Sequence, residues 1–268
     1  MLRSSAVLAA ALLPAIALAG SDAPVAITQI YGGGGLTNAV FTNDYVELFN
    51  RSQTAQNIGG WTLQFAASTG SIWTATTIPA DTILQPGQYY LIQQAGGAQG
   101  SPLPAADLVG TINMGTSNGK VALVRTGTLL SGTCPIPNTD VVDLVGYGAS
   151  NCAEGLTAGA LSSLTSVVRI DSCVDTDANR ADFTVITPNP RTSANTDPVC
   201  PPPPPPDCPA EFNMDGALNA DDLGDFINCY FGETGSPGSC PQADFNNDTN
   251  IDADDLGDYI NAYFAGCD

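Results

Sequence analysis

Histidine is absent from this 268-residue sequence, and lysine occurs only once, as Lys120. Without an imidazole the chain cannot build a Ser-His-Asp triad or a Cys-His pair, because both use histidine as the general base. A zinc site would have to consist of cysteine and carboxylate ligands alone. Histidine-dependent hydrolases and the common zinc enzymes are therefore disfavoured for this protein.

Basic residues are scarce in general. The chain has 7 Lys and Arg against 27 Asp and Glu, which gives a formal net charge of −20 at pH 7. About half of the acidic residues lie in residues 207–268, a segment with neither lysine nor arginine. Such a surface repels phosphate backbones, so nucleic-acid binding is disfavoured. A multivalent cation would relieve the repulsion, and outside the cell Ca²⁺ is the natural candidate.

Long hydrophobic runs are also missing, since no stretch reaches the roughly eighteen apolar residues that a membrane-spanning helix needs. The longest run, residues 6–19, follows Arg3 and ends in Ala17-Leu18-Ala19, with small residues where a signal peptidase reads the chain. We predict a secretory signal peptide over residues 1–19. The mature protein is then expected to be secreted or attached to the cell surface, without a transmembrane span.

Cysteine, in contrast, is well represented, and none of the cysteines forms a CxxC pair. An even set in an exported chain favours disulfides over metal ligands, although spacing alone does not settle the connectivity. The candidates are Cys134, Cys152, Cys173, Cys200, Cys208, Cys229, Cys240 and Cys267.

Residues 23–198 contain short alternating segments separated by Gly, Pro, Asn and Ser, without a sustained helical period. Their number and length predict one β-sandwich with a full core. A proline-rich linker at residues 199–207, with a polyproline II spacer at residues 201–206, separates it from a second domain at residues 208–268. The predicted strands are residues 25–31, 45–50, 61–65, 89–93, 120–125, 141–147 and 166–170.

The second domain contains a tandem repeat. Residues 211–231 recur as residues 244–264, including the hexapeptide Ala-Asp-Asp-Leu-Gly-Asp in both copies. A repeat this close indicates two copies of one supersecondary unit.

Each copy has the spacing of an EF-hand-type calcium loop. Oxygen-bearing side chains occupy the first, third, fifth, ninth and twelfth places, and the seventh place supplies a backbone carbonyl. A solvated acidic surface is the alternative, but it does not explain why the pattern occurs twice in register. The predicted ligands are Glu211, Asn213, Asp215, Ala217, Asn219 and Asp222 in the first loop and Asp244, Asn246, Asp248, Asn250, Asp252 and Asp255 in the second.

A helix is expected directly after each loop, and a short strand contact between Leu218 and Ile251 is expected to pair the two loops. The apolar residues of each helix recur at i, i+3, i+4, i+7 and i+8, which predicts one buried face. These residues are Leu223, Phe226, Ile227, Tyr230 and Phe231, and Leu256, Tyr259, Ile260, Tyr263 and Phe264.

A loop that ends in Asp, leads straight into one helix and is repeated once resembles a dockerin. A full EF-hand would also have an entering helix. Glu211 at the first place and Thr249 at the sixth depart from the family's usual Asp and Gly. If the two halves pack about a pseudo-two-fold axis, Cys208 would meet Cys267, and Cys229 with Cys240 would form the inner pair.

The dockerin resemblance also implies a partner, a cohesin-like or other protein receptor of the envelope. In dockerins, the residues just ahead of the twelfth-place ligand contact this receptor. The corresponding residues here are Ala220, Asp221, Ala253 and Asp254.

The first domain, over residues 27–195, resembles a lamin-tail domain of the exported bacterial type, which is an immunoglobulin-like sandwich. This resemblance implies an accessory domain that often accompanies extracellular nucleases and other hydrolases. The segments that carry it are residues 27–35, 44–50, 60–63, 84–92, 119–124 and 175–190.

An acidic segment of the sandwich has three interpretations. Asp175, Asp177, Asn179 and Asp182 could bind a further cation or supply a carboxylate pair for glycoside hydrolysis. Surface turn chemistry is the favoured interpretation.

Together these features predict a non-catalytic binding or anchoring protein, with a sandwich for adhesion and a Ca²⁺-dependent module for attachment. The alternative is an extracellular hydrolase or hydrolase accessory protein, acting on polysaccharides or phosphoesters through sandwich loops.

Overall fold

A computed structural model describes residues 23–201, 208, 210–213, 218–233, 240–246 and 250–266. The chain forms two compact units, with the boundary between Val199 and Cys200. The predicted signal peptide and residues 202–206 of the proline run lie outside the described residues. Within the described part, no helix has the length and apolar character to cross a membrane.

The described part of the first unit is built from twelve strands. All seven predicted strands are present, with their ends shifted by at most three residues. The strands that the sequence did not predict have only two to four residues, too few for an alternating pattern to be visible. The strands are β1 (Val25–Tyr31), β2 (Asn43–Asn50), β3 (Gln56–Asn57), β4 (Thr62–Ala67), β5 (Thr74–Thr77), β6 (Ile83–Leu84), β7 (Tyr89–Gly96), β8 (Leu108–Val109), β9 (Gly119–Val124), β10 (Val141–Tyr147), β11 (Ser166–Arg169) and β12 (Phe183–Ile186).

These strands form two main sheets around one core. One sheet has the order β12-β11-β1-β2-β7-β8, the other has the order β10-β9-β4-β5, and β3 pairs with β6 separately. All pairings are antiparallel except that of β7 with β8. The core between the sheets includes Ile30, Leu48, Leu63, Leu123 and Val145. The predicted mainly β sandwich is confirmed.

Strands β1 and β9 are buried along their whole length, because side chains from loops also pack on the outer faces of the sheets. Over the four-stranded sheet, Trp73 and Leu130 pack on the outward side chains of β9 and β10, next to the Cys134–Cys152 disulfide. Lys120 is fully buried there, and its ammonium donates hydrogen bonds to Gly70 O at 2.9 Å, to Asn151 Oδ1 at 2.7 Å and to Thr133 O. The only lysine of the chain is thus a structural cation that joins three loops.

A bulge in β1 is bonded by two charged side chains, Asp143 and Arg169. The register against β2 shifts between Ile27 and Gln29. The N–H of Ile27 donates to Asp143 Oδ2 at 2.6 Å, and its carbonyl accepts from Arg169 Nε at 3.1 Å. An acidic and a basic side chain therefore satisfy the polar groups that the bulge leaves inside the core.

The second unit contains α2 (Ala220–Glu233), a 3-10 helix (Pro241–Ala243) and α3 (Ala253–Ala265); α1 (Asn179–Asp182) is a single turn in the sandwich. Both helices follow their loops as predicted, and Cys229 and Cys240 form the expected inner disulfide. Cys173, Cys200 and Cys208 are disulfide-bonded as well. Cys267 lies outside the described residues, so the Cys208–Cys267 pairing stays a prediction.

Two expectations for the helices were wrong in part. Phe231 and Phe264 are 61% and 80% exposed, although the helical period assigned them to the core. Each is the last residue of its apolar stripe. Leu218 and Ile251 pack half-buried against the core, and among the described residues they form no β-bridge.

Candidate metal centres

Four aromatic rings position the two loops of the second unit. Phe226 of α2 and Tyr259 of α3 stack with ring centroids 3.8 Å apart and planes 3° from parallel. Phe212 meets Phe226 edge-on at 5.4 Å, and Phe245 meets Tyr259 in the same way at 5.3 Å. The cross contacts, Phe212 with Tyr259 and Phe245 with Phe226, measure 6.1 and 6.2 Å.

Equal distances between equivalent residues of the two copies indicate a pseudo-two-fold axis that passes between the stacked rings. Phe212 and Phe245 follow the first place of their respective loops. The shared ring stack therefore places the starts of both loops symmetrically about the axis.

The twelfth-place carboxylates close their loops in equivalent ways. Asp222 is fully buried and accepts from the N–H groups of Phe212 at 2.9 Å, Asn213 at 3.1 Å and Asn219 at 2.8 Å. These bonds join the start of the loop and its ninth place to the first turn of α2.

The second copy repeats this arrangement. Asp255 is fully buried and accepts from the N–H groups of Asn246 at 3.2 Å and Asp252 at 2.8 Å. The donors Asn246 and Asp252 correspond to Asn213 and Asn219 in the first copy.

The ninth-place residues also cap the helices. Asn219 Oδ1 accepts from the N–H of Asp221 at 2.8 Å, and Asp252 Oδ1 accepts from the N–H of Asp254 at 2.9 Å. Asp252 and Asp255 together form a capping box. Side-chain capping of this kind satisfies backbone N–H groups in the first turn, which have no partner within the helix, and so stabilises the start of the helix.

The remaining predicted ligands are placed as follows. Glu211 is buried, Asn213 and Asp244 are half-buried, and Asn246 and Asn250 are exposed. Asp215, Ala217 and Asp248 lie outside the described residues, as does Thr249. The predicted donor set of both loops consists of carboxylate, amide and carbonyl oxygens, which are the ligands that Ca²⁺ takes in proteins. The predicted receptor contacts Ala220, Asp221, Ala253 and Asp254 are all exposed at the first turns of α2 and α3.

In the sandwich, the expectation of surface turn chemistry was wrong for three of the four acidic-segment residues. Asp175 and Asp182 are 6% exposed and Asn179 is fully buried. The two carboxylates share a partner in Arg169, a buried guanidinium at the end of β11. It lies 3.1 Å from Asp175 Oδ1, 3.3 Å from Asp182 Oδ2 and 3.2 Å from Asp143 Oδ2.

Glu154, like Arg169 and Asp143, belongs to this cluster and was missed by the sequence analysis. Its Oε1 accepts from the N–H of Leu144 at 3.1 Å, and its Oε2 accepts from Asn179 Nδ2 at 3.2 Å. Burial, and next the charges of Asp143, Asp175 and Asp177, raise the pKa of Glu154 to about 10. Burial likewise raises the pKa of Asp143 to about 7, although Arg169 acts in the opposite direction.

Carboxylates from two loops meet at this point. Glu154, in the connection between β10 and β11, lies beside Asp175 and Asp177, which follow β11. One carboxylate oxygen from each of the three lies within 4.8 Å of the others. Nothing in the local sequence around Glu154 distinguishes it from other loop acids, because its role depends on the pairing of distant strands.

Comparison with known families gives a match for this part of the chain. The model described as Lamin Tail Domain matches residues 19–149. The match supports the lamin-tail resemblance for most of the sandwich and ends well before the second unit.

Comparison with solved structures includes the crystal structure of a DUF4876 family protein from Bacteroides thetaiotaomicron. That chain is 14% identical, with a TM-score of 0.37, and the similarity covers 65% of this chain and 70% of that chain. Comparison with curated proteins gives no match.

Proposed function

We propose that this protein is a non-catalytic binding or anchoring protein of the cell exterior. Its lamin-tail-like sandwich presents the binding surface, and its second unit is a dockerin-like module that binds two Ca²⁺ ions and attaches to a protein receptor. The observation that carries the proposal is the two-fold arrangement of the second unit. Buried Asp222 and Asp255 hold equivalent loops on either side of one aromatic core.

Calcium would act on the second unit by compensating its carboxylates. Each loop sequence contains several acidic residues just ahead of a helix, in a segment without any basic residue. Binding of Ca²⁺ would offset this repulsion and order both loops, so that the free energy of binding contributes to folding.

Replacing Asp222 and Asp255 together by Ala should remove two Ca²⁺ ions per chain. Each substitution deletes the only twelfth-place carboxylate of its loop, and with it an acceptor of several backbone N–H groups. Isothermal titration of the full chain measures the stoichiometry. The matched control is Asp221→Ala with Asp254→Ala, which changes the exposed neighbours and should leave the stoichiometry intact. An unchanged stoichiometry in the Asp222, Asp255 double variant would contradict the site assignment.

The same control variant tests the receptor face. Asp221 and Asp254 are exposed at equivalent helix starts, and their charge suits a basic patch on the receptor. A pull-down from envelope extract should capture a receptor in Ca²⁺ and lose it in chelator, and the Asp221→Ala, Asp254→Ala variant should capture at least tenfold less. Equal capture by this variant would exclude the proposed face.

A further inference from the structure

The carboxylates of Glu154, Asp175 and Asp177 have the spacing of ligands to a single ion. Ca²⁺ binds oxygen at about 2.3–2.6 Å, so two ligands on opposite sides of the ion lie up to about 5 Å apart. The three carboxylate oxygens lie within 4.8 Å of one another. One ion can therefore contact all three without any of these side chains moving far.

A buried oxygen without a hydrogen bond provides a second observation. The side chain of Asp175 is completely buried, and its Oδ1 accepts from Arg169 Nη1 at 3.1 Å. Its Oδ2 accepts no hydrogen bond. Arg51 Nη1 lies 3.7 Å from Oδ2, an ion pair that is too long to be a hydrogen bond. Burying a charged oxygen without a close donor is costly, and a cation in contact with it removes that cost.

The balance of charge around the site points the same way. Even with Glu154 counted as protonated, acidic side chains outnumber the basic ones that approach them in this part of the described structure. The acidic members are Asp143, Glu154, Asp175, Asp177 and Asp182, and the basic members are Arg51 and Arg169.

We propose that Glu154, Asp175 and Asp177 form a Ca²⁺ site of the sandwich, separate from the two loops of the second unit. The donors are hard carboxylate oxygens without nitrogen or sulfur, which favours Ca²⁺ over zinc or copper. The ion links the β10–β11 connection to the segment that leads from β11 into α1. It therefore stabilises the edge of the six-stranded sheet, where β11 pairs with β12.

The test uses a full-length parent chain that carries Asp222→Ala and Asp255→Ala, so that the loops of the second unit do not contribute. Both tryptophans of the protein, Trp61 and Trp73, lie in the sandwich, and their fluorescence during heating reports the unfolding of that unit alone. Isothermal titration of the parent should give one Ca²⁺ per chain. At one hundred times the dissociation constant, Ca²⁺ should raise its melting temperature by on the order of 5 °C relative to chelator.

Two variants of the parent decide the assignment. Asp177→Asn should abolish both the binding and the shift. Asp177 has φ 55°, a conformation that asparagine tolerates, so this substitution preserves the backbone. Glu154→Gln, which keeps the shape of the side chain, should have the same effect, whereas the exposed Asp171→Asn should change neither. A parent chain whose melting temperature is the same in Ca²⁺ and in chelator overturns the proposal, as does a full shift in the Asp177→Asn variant.

Discussion

Replacing Arg169 by methionine should lower the unfolding free energy of the sandwich by about 3–5 kcal/mol, the usual effect of removing one partner from a buried ion pair. The guanidinium contacts Asp143, Asp175 and Asp182, and all four side chains are at most 3% exposed. Methionine fills a similar volume but leaves three buried carboxylates without their common cation. It also leaves the carbonyl of Ile27 without its donor at the β1 bulge.

Urea denaturation in chelator, followed by tryptophan fluorescence, measures this loss. The matched control is Arg180→Met. Arg180 is exposed in α1, so its replacement should change the unfolding free energy by less than about 0.5 kcal/mol. Equal effects of the two substitutions would mean that the buried cluster does not stabilise the sandwich.

Replacing Phe226 by alanine should lower the unfolding free energy of the second unit by about 3–5 kcal/mol, the usual effect of truncating a buried phenylalanine. Phe226 is fully buried and touches the rings of Phe212, Tyr230, Phe245 and Tyr259. Its ring belongs to the core of both copies, so its loss removes contacts from both loops at once. In a unit this small, such a loss approaches the whole folding free energy.

Circular dichroism at the helical wavelength follows this unit, because α2 and α3 hold nearly all of the helix in the described chain. Phe231→Ala is the matched control, an identical substitution on the same helix at a residue that is 61% exposed. The control should keep the helical signal and its thermal transition, while Phe226→Ala should lose both at 37 °C. A Phe226→Ala chain with an unaltered transition would rule out the shared aromatic core.

The strands of the sandwich core could be predicted from sequence because they are long and rich in β-branched and aromatic residues. β1 and β10 match their predicted bounds. The short strands β3, β6 and β8 could not be predicted, since two residues carry no periodic signal and pair only where the tertiary fold brings their partners close.

The charged cluster shows a different limit. Asp175 and Asp182 looked like turn residues because their neighbours in sequence are polar, and turn formation is what Asp does most often in such a setting. Their burial depends on Arg169 and Asp143, which belong to strands of different sheets. In the second unit the duplication itself indicated symmetry, so the two helices and the equivalent positions of Asp222 and Asp255 were predictable. The helical period alone could not show that Phe231 and Phe264, the last residues of their apolar stripes, are exposed.

The ring stack between Phe226 and Tyr259 has a consequence for how the repeat can evolve. Because each ring completes the core of the opposite copy, a substitution at either position changes the environment of both copies. After a duplication, the two copies can therefore drift apart on their surfaces but must change together at the axis. The Tyr259 hydroxyl, which donates to Ala210 O at 2.9 Å, is a difference that this constraint allows. It adds a polar group at the edge of the stack and leaves the shared ring faces unaltered.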